Sequence, residues 1–211
     1  SSKKVMTTSC LPTLNKQEYP LMFKSITRVS KQSKIYAIEP KILATKTKDG
    51  EVNIFDYHKH PKTPINDEVK PDLRLLGHNQ EGFGLAWNPL KRGLLLSGSD
   101  DFRICIWDIE QQSKSVDLDA LENFEAHNSI VEDVAWNHFD EKVFITVGDD
   151  KKMKIWDMRS LQKPSSSIEG HVQEIMSGIA QHLTSIWFAA GQPILPLLFG
   201  ILETLKQNCL V

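Results

Sequence analysis

His78, Ser97 and Asp101 are the residue types of an acyl-transfer triad. In that chemistry an imidazole takes the proton of a hydroxyl nucleophile while a carboxylate holds the imidazole in the right tautomer. The spacing argues against it. His127, Thr146 and Asp150 repeat the set at the same intervals, 49 residues further on. A catalytic centre has no reason to be built twice in tandem, whereas a structural device has. The set therefore reads as a buried imidazole held by a turn aspartate, a strand hydroxyl and the indole N–H of Trp107, with Trp156 in that role in the second copy. No catalytic residue is assigned and no enzymatic activity is expected. His58 and His60 flank Lys59, but no Cys or carboxylate stands at ligand spacing. They read as a solvated loop; no metal and no cofactor is implied.

These side chains are carried by a longer repeat. Gly77-His78 leads to Ala86-Trp87-Asn88, to Ser97-Gly98-Ser99-Asp100-Asp101 and to Ile106-Trp107-Asp108. Ala126-His127 leads in the same way to Ala135-Trp136-Asn137, Thr146-Val147-Gly148-Asp149-Asp150 and Ile155-Trp156-Asp157. Gly170-His171 opens a third copy that does not finish. Similarity at such a period means one supersecondary unit stacked several times. The apolar runs inside it, such as Leu94-Leu95-Leu96 and Ile104-Cys105-Ile106-Trp107, are short, β-branched or aromatic, and ended by turn residues, which predicts strands. Asp100-Asp101 and Asp149-Asp150 fall where hairpin turns are needed. Residues 41–57 repeat the end of the unit, with Phe55 at the place of Trp107.

A chain of 211 residues with a 40% apolar fraction is long enough for one ordinary domain with a core. The net charge of −2 gives no basis for a general nucleic-acid binder. Cys10, Cys105 and Cys209 are odd in number and share no ligand spacing, which suits a reducing compartment. Cys105, inside a strand pattern, reads as a small buried side chain. There is no secretory signal at the start and no initiator methionine.

The unit reads as the four-stranded blade of a WD-repeat propeller. The expected fold is all-β: a partial propeller of about two complete four-stranded blades plus fragments, with tails at both ends that do not resemble blades. The expected boundaries are an irregular segment 1–40, blades over 41–176 and an apolar tail 177–211. Over about 41–176 the chain resembles the retinoblastoma-binding histone chaperones, the small histone-binding subunit of chromatin assembly factor. The matching runs include Ala44-Thr45-Lys46-Thr47, Phe55-Asp56-Tyr57-His58-Lys59-His60-Pro61, Pro71-Asp72-Leu73-Arg74-Leu75 and Glu81-Gly82-Phe83-Gly84-Leu85-Ala86-Trp87-Asn88-Pro89. Ile130 to Trp136 and Trp156-Asp157-Met158-Arg159 continue the match.

The resemblance implies a seven-bladed, non-catalytic propeller in the nucleus. It would serve chromatin assembly, deacetylase, remodelling and Polycomb-type complexes as a scaffold, with no direct nucleic acid and no membrane. It implies a histone H3 tail or similar basic peptide gripped by an acidic face, with Glu81, Phe83 and Glu132 on motif positions of that face. Carboxylates for Arg or Lys and an aromatic for the aliphatic stem are what such a ligand needs. Glu81 and Glu132 are taken to precede a buried strand at the same place in the repeat, and Glu174 to be the equivalent position of the unfinished copy. Histone H4 binding is not carried over, because the N-terminal helix and late-blade loop of that groove are missing.

After Met176 the blade pattern gives way to an uncharged apolar stretch of membrane-spanning length, interrupted by Pro193 and Pro196. From Ala189 onward, permitted codons read one frame over spell a blade ending, with Trp arising from Phe199-Gly200 and Asp from Gly200-Ile201. Residues 30–41 yield a blade strand by a similar operation. Both tails are thus expected to be out-of-frame blade text, from a sequence error, mis-splicing or a truncated isoform. An unclosed set of blades is expected to expose apolar faces and strand edges. Two further readings stay open: a generic WD-repeat adaptor such as a ubiquitin-ligase substrate receptor, and a membrane-anchored protein spanning with 183–205.

Overall fold

Runs of three to six residues closed by Gly or Asp turns pair here as antiparallel hairpins. The computed structural model describes residues 30–169, apart from 38, 40, 57, 61–69 and 112–114. The described strands are β1 (Ser30–Ile35), β2 (Ile42–Thr47), β3 (Val52–Asp56), β4 (Leu73–Leu76), β5 (Leu85–Trp87), β6 (Leu94–Gly98) and β7 (Arg103–Asp108). They continue as β8 (Asp117–Asp119), β9 (Glu122–Glu125), β10 (Val131–Trp136), β11 (Val143–Gly148), β12 (Lys152–Asp157) and β13 (Ser166–Glu169). Three sheets result, in the orders β1-β2-β3-β4-β8, β5-β6-β7-β9 and β10-β11-β12-β13. The all-β architecture of successive four-stranded sheets is the one expected. Trp107 and Trp156 take like positions on the third strand of adjacent sheets.

The boundary expected at residue 40 is corrected. Residues 30–35 form β1 and pair with β2 from Ser30↔Thr47 to Ile35↔Leu43. Backbone ladders need no signature residues, so this strand escaped the repeat pattern. Its sheet therefore has four antiparallel strands of its own, and β8 adds a fifth, parallel to β4. Out-of-frame text, Glu174 and the span 183–205 fall in residues 1–29 and 170–211 or their borders, outside the described residues except for 30–41. Among the described residues no helix is long and apolar enough to cross a membrane.

The second sheet is buried on both faces, which explains the unbroken Leu94-Leu95-Leu96 run. Leu95, Cys105 and Trp107 pack toward Ala44, Val52, Ile54 and Leu75 of the first sheet. Leu94, Leu96, Ile104 and Ile106 pack toward Val131, Val134, Phe144 and Trp156 of the third. Alternation along each strand sends successive side chains to opposite faces.

The sequence repeat and the sheet are out of phase by one strand. Each unit starts with the fourth strand of one sheet, β4 or β9, and then supplies the first three strands of the next. One covalent unit thus ties two sheets together. The Ala-Trp-Asn triplets reinforce the tie: the indole of Trp87 donates to Lys34 O at 3.1 Å, and that of Trp136 to Ala86 O at 3.0 Å. Asn88 donates to Glu141 O at 2.8 Å and accepts from the N–H groups of Leu90 and Lys91. Trp136→Phe keeps an aromatic ring, though a smaller one, and removes this donor, so it is expected to cost about 1–2 kcal/mol in urea unfolding; an unchanged midpoint would show the bond to be idle.

Candidate functional site

The His-Asp-hydroxyl sets assemble as local sequence dictates. Asp101 and Asp150 lie in the β6–β7 and β11–β12 turns, whose next residues, Phe102 and Lys151, hold φ of 67° and 62°. A left-handed residue other than Gly costs about 1 kcal/mol. Each aspartate offsets this by accepting the N–H of Arg103 or Lys152, at 3.0 and 3.1 Å. The same carboxylates hold the imidazoles: His78 Nδ1 lies 3.0 Å from Asp101, and His127 Nδ1 lies 2.9 Å from Asp150. On the other ring nitrogen, His78 Nε2 is 3.2 Å from Ser97 Oγ and His127 Nε2 is 2.7 Å from Thr146 Oγ1.

In the third sheet the chain closes as expected, with Trp156 Nε1 donating to Thr146 Oγ1 at 3.0 Å. In the second sheet it does not. Trp107 Nε1 donates to Leu76 O at 2.9 Å, and Ser97 Oγ takes its N–H from Lys46 Nζ at 2.9 Å instead. The expectation for Trp107 is corrected on that point: a cation from the neighbouring sheet has taken the hydroxyl.

Burial pulls the imidazoles of both His78 and His127 below their ordinary value. They stand neutral, with Nδ1–H donating to the aspartate; His127 Nε2 accepts from the Thr146 hydroxyl, whereas the Ser97 hydroxyl donates to Gly84 O at 3.0 Å. For Asp101 and Asp150 burial pushes upward, but the hydrogen bonds from the imidazole and two backbone N–H groups outweigh it and leave both lowered. Cys105 lies 3.8 Å from His78, and burial pushes its thiol up to about 12, which closes it to thiolate chemistry. Ser97 and Thr146 are fully buried, so no substrate reaches either hydroxyl. Among the described residues no cluster of His, Cys, Asp and Glu could hold a metal. His60 instead lies 2.9 Å from Asp72, while the N–H of His58 donates to Asp56.

Glu81, Phe83 and Glu132 come to one end of adjacent sheets, where the chain enters the innermost strands β5 and β10. Glu81 and Glu132 are partly buried and Phe83 is 49% exposed. Their places in the repeat differ from the expectation. Asp100 N–H donates to Glu81 O at 2.8 Å, and Asp149 N–H donates to Ile130 O at 2.9 Å. Ile130 is therefore the counterpart of Glu81, and Glu132 the counterpart of Phe83. A bulge at Glu132, between the pairs Val131↔Gly148 and Asp133↔Val147, sets that side chain apart from the ladder. The next residue, Asp133, was passed over in the sequence: its carboxylate accepts Val134 N–H at 2.8 Å, and burial pushes it up to about 6.

The family profile described as "WD domain, G-beta repeat" matches residues 70–108 and 119–157. The chain carries WD repeats. The matched spans are the two covalent units seen in the structure, the fourth strand of one sheet followed by three strands of the next. A chain in the solved structure titled "Crystal Structure of Mitotic Checkpoint Complex" superposes with a TM-score of 0.51 at 24% identity over 66% of this chain. This chain spans 36% of that one's length. The likeness is one of fold, and it fits a partial WD-repeat propeller.

Proposed function

We propose that these WD repeats form a non-catalytic platform for an arginine- and lysine-rich histone tail, that of histone H3, within nuclear chromatin complexes. One observation carries the reading: Glu81, Phe83 and Glu132 emerge at the same end of two adjacent sheets, with the Phe83 ring exposed. A carboxylate pair suits guanidinium or ammonium groups, and an aromatic face suits their methylene stems. The exposed Asp49 and Glu51, in and beside the β2–β3 turn, add negative charge at the corresponding end of the first sheet. Glu174, on the sequence counterpart of Glu81 in the next copy, belongs to the same proposed rim and lies outside the described residues.

The test is titration of a fluorescent H3-tail peptide onto the wild-type chain and onto the E81K/E132K double variant. Reversal of two carboxylates facing a cationic peptide is expected to weaken binding by about 100-fold at low salt, from roughly 1–2 kcal/mol per contact. The loss should shrink as salt rises. Equal affinity of the two proteins would remove the rim from the reading and favour a generic adaptor role.

A further inference from the structure

Lys46 is a fully buried lysine on β2. Its Nζ crosses to the second sheet and donates to Ser97 Oγ at 2.9 Å and to Gly98 O at 2.7 Å. Those two residues hold the segment that carries the acidic rim. Ser97 Oγ and Gly98 N–H both reach Gly84 O, at 3.0 and 3.1 Å. One residue on, Ser99 Oγ reaches Gln80 O and Glu81 O at 2.7 and 2.6 Å. A side chain at Gly82 would meet Ser99 Cα at 2.6 Å and Lys46 Nζ at 3.0 Å, so the 80–84 backbone lies flat on this network.

The next junction is built the other way round. In the ladder registers Lys46 corresponds to Gly98, and Gly82 to Val131. A side chain at Gly98 would meet Val131 Cγ1 at 2.5 Å. Large meets small at both junctions, but only the first places an ammonium group there.

We propose that Lys46 is the positioning residue of the Glu81–Phe83 segment, its ammonium fixing Ser97 and Gly98 and through them the backbone that presents the rim. This rests on the rim being the ligand site. The charged and titratable groups facing Lys46 are Asp100, Asp101, Cys105 and His78. Burial lowers the Lys46 ammonium to about 8, while Cys105 stands near 12 and His78 below its ordinary value. Between pH 7 and 10 the network therefore has one titrating member.

The test uses the full chain and two readouts. In the wild type, the carbonyl carbon resonances of Gly82, Gly84 and Gly98 are expected to titrate together with a midpoint near 8. That titration should vanish in Lys46→Met. At pH 7 the amides of residues 80–84 should exchange about tenfold faster in Lys46→Met, while those of 130–134 are unchanged. The H3-tail peptide should bind that variant about fivefold more weakly. Absence of the wild-type titration, or unchanged exchange at 80–84 in the variant, would overturn the proposal. If the variant does not fold, the wild-type titration still decides. Failure of the wild type to bind peptide would instead strike the rim reading, leaving the resonance arm to judge Lys46.

Discussion

Trp156→Ala is expected to cost about 3–5 kcal/mol of unfolding free energy, the range for deleting a large buried aromatic side chain. The indole is 3% exposed in the cluster shared by the second and third sheets. It meets Phe124 of the second sheet edge-on at 5.0 Å and Phe144 of its own sheet at 6.4 Å. Alanine leaves a void between two sheets whose strands cannot shift without breaking their ladders. It also takes the N–H from Thr146 Oγ1, though that hydroxyl keeps His127 at 2.7 Å. Trp156→Phe retains most of the volume and should lose only about 1–2 kcal/mol. Urea denaturation of the three proteins measures this. A loss below 1 kcal/mol for the alanine variant would mean that the sheets are not held together at this residue.

Acid should unfold the protein in two stages. Both His78 and His127 stand below the ordinary imidazole value of 6.5 because burial disfavours their charged form. As pH falls through 6.5 the unfolded chain takes up protons that the folded chain refuses, so stability drops with pH. The limiting slope is about 1.4 kcal/mol per pH unit for each imidazole. Asp101 and Asp150 stand below the ordinary 3.8. Their contribution is complete above that value and is lost as pH falls through their folded values. Lys46, lowered to about 8 from 10.5, acts at the other end: stability rises from pH 8 toward 10.5 as the unfolded chain gives up its proton. Urea unfolding at a series of pH values checks each limb. The double variant H78Q/H127Q should flatten the stretch from pH 6.5 to 5, and it should also weaken the lower limb, because the imidazoles are the main cause that lowers Asp101 and Asp150. A wild-type curve already flat between 7 and 5 would contradict buried neutral imidazoles.

The sequence alone determined the apolar strands β6, β7, β11 and β12 of the second and third sheets, the paired aspartate turns and the meaning of the His-Asp-hydroxyl sets. Their causes are local or periodic: short apolar runs, residues suited to turns, and duplication that excludes a catalytic centre. β1 stayed hidden because pairing through backbone groups leaves no trace in side-chain type. That Lys46, from another sheet, displaces Trp107 as the donor to Ser97 depends on which sheets become neighbours, and spacing along one unit cannot encode it. Likewise the bulge at Glu132 and the stagger of the two rim glutamates follow from register between strands. Only packing in three dimensions decides such contacts, because a buried polar atom takes whichever partner the surrounding sheets bring within reach.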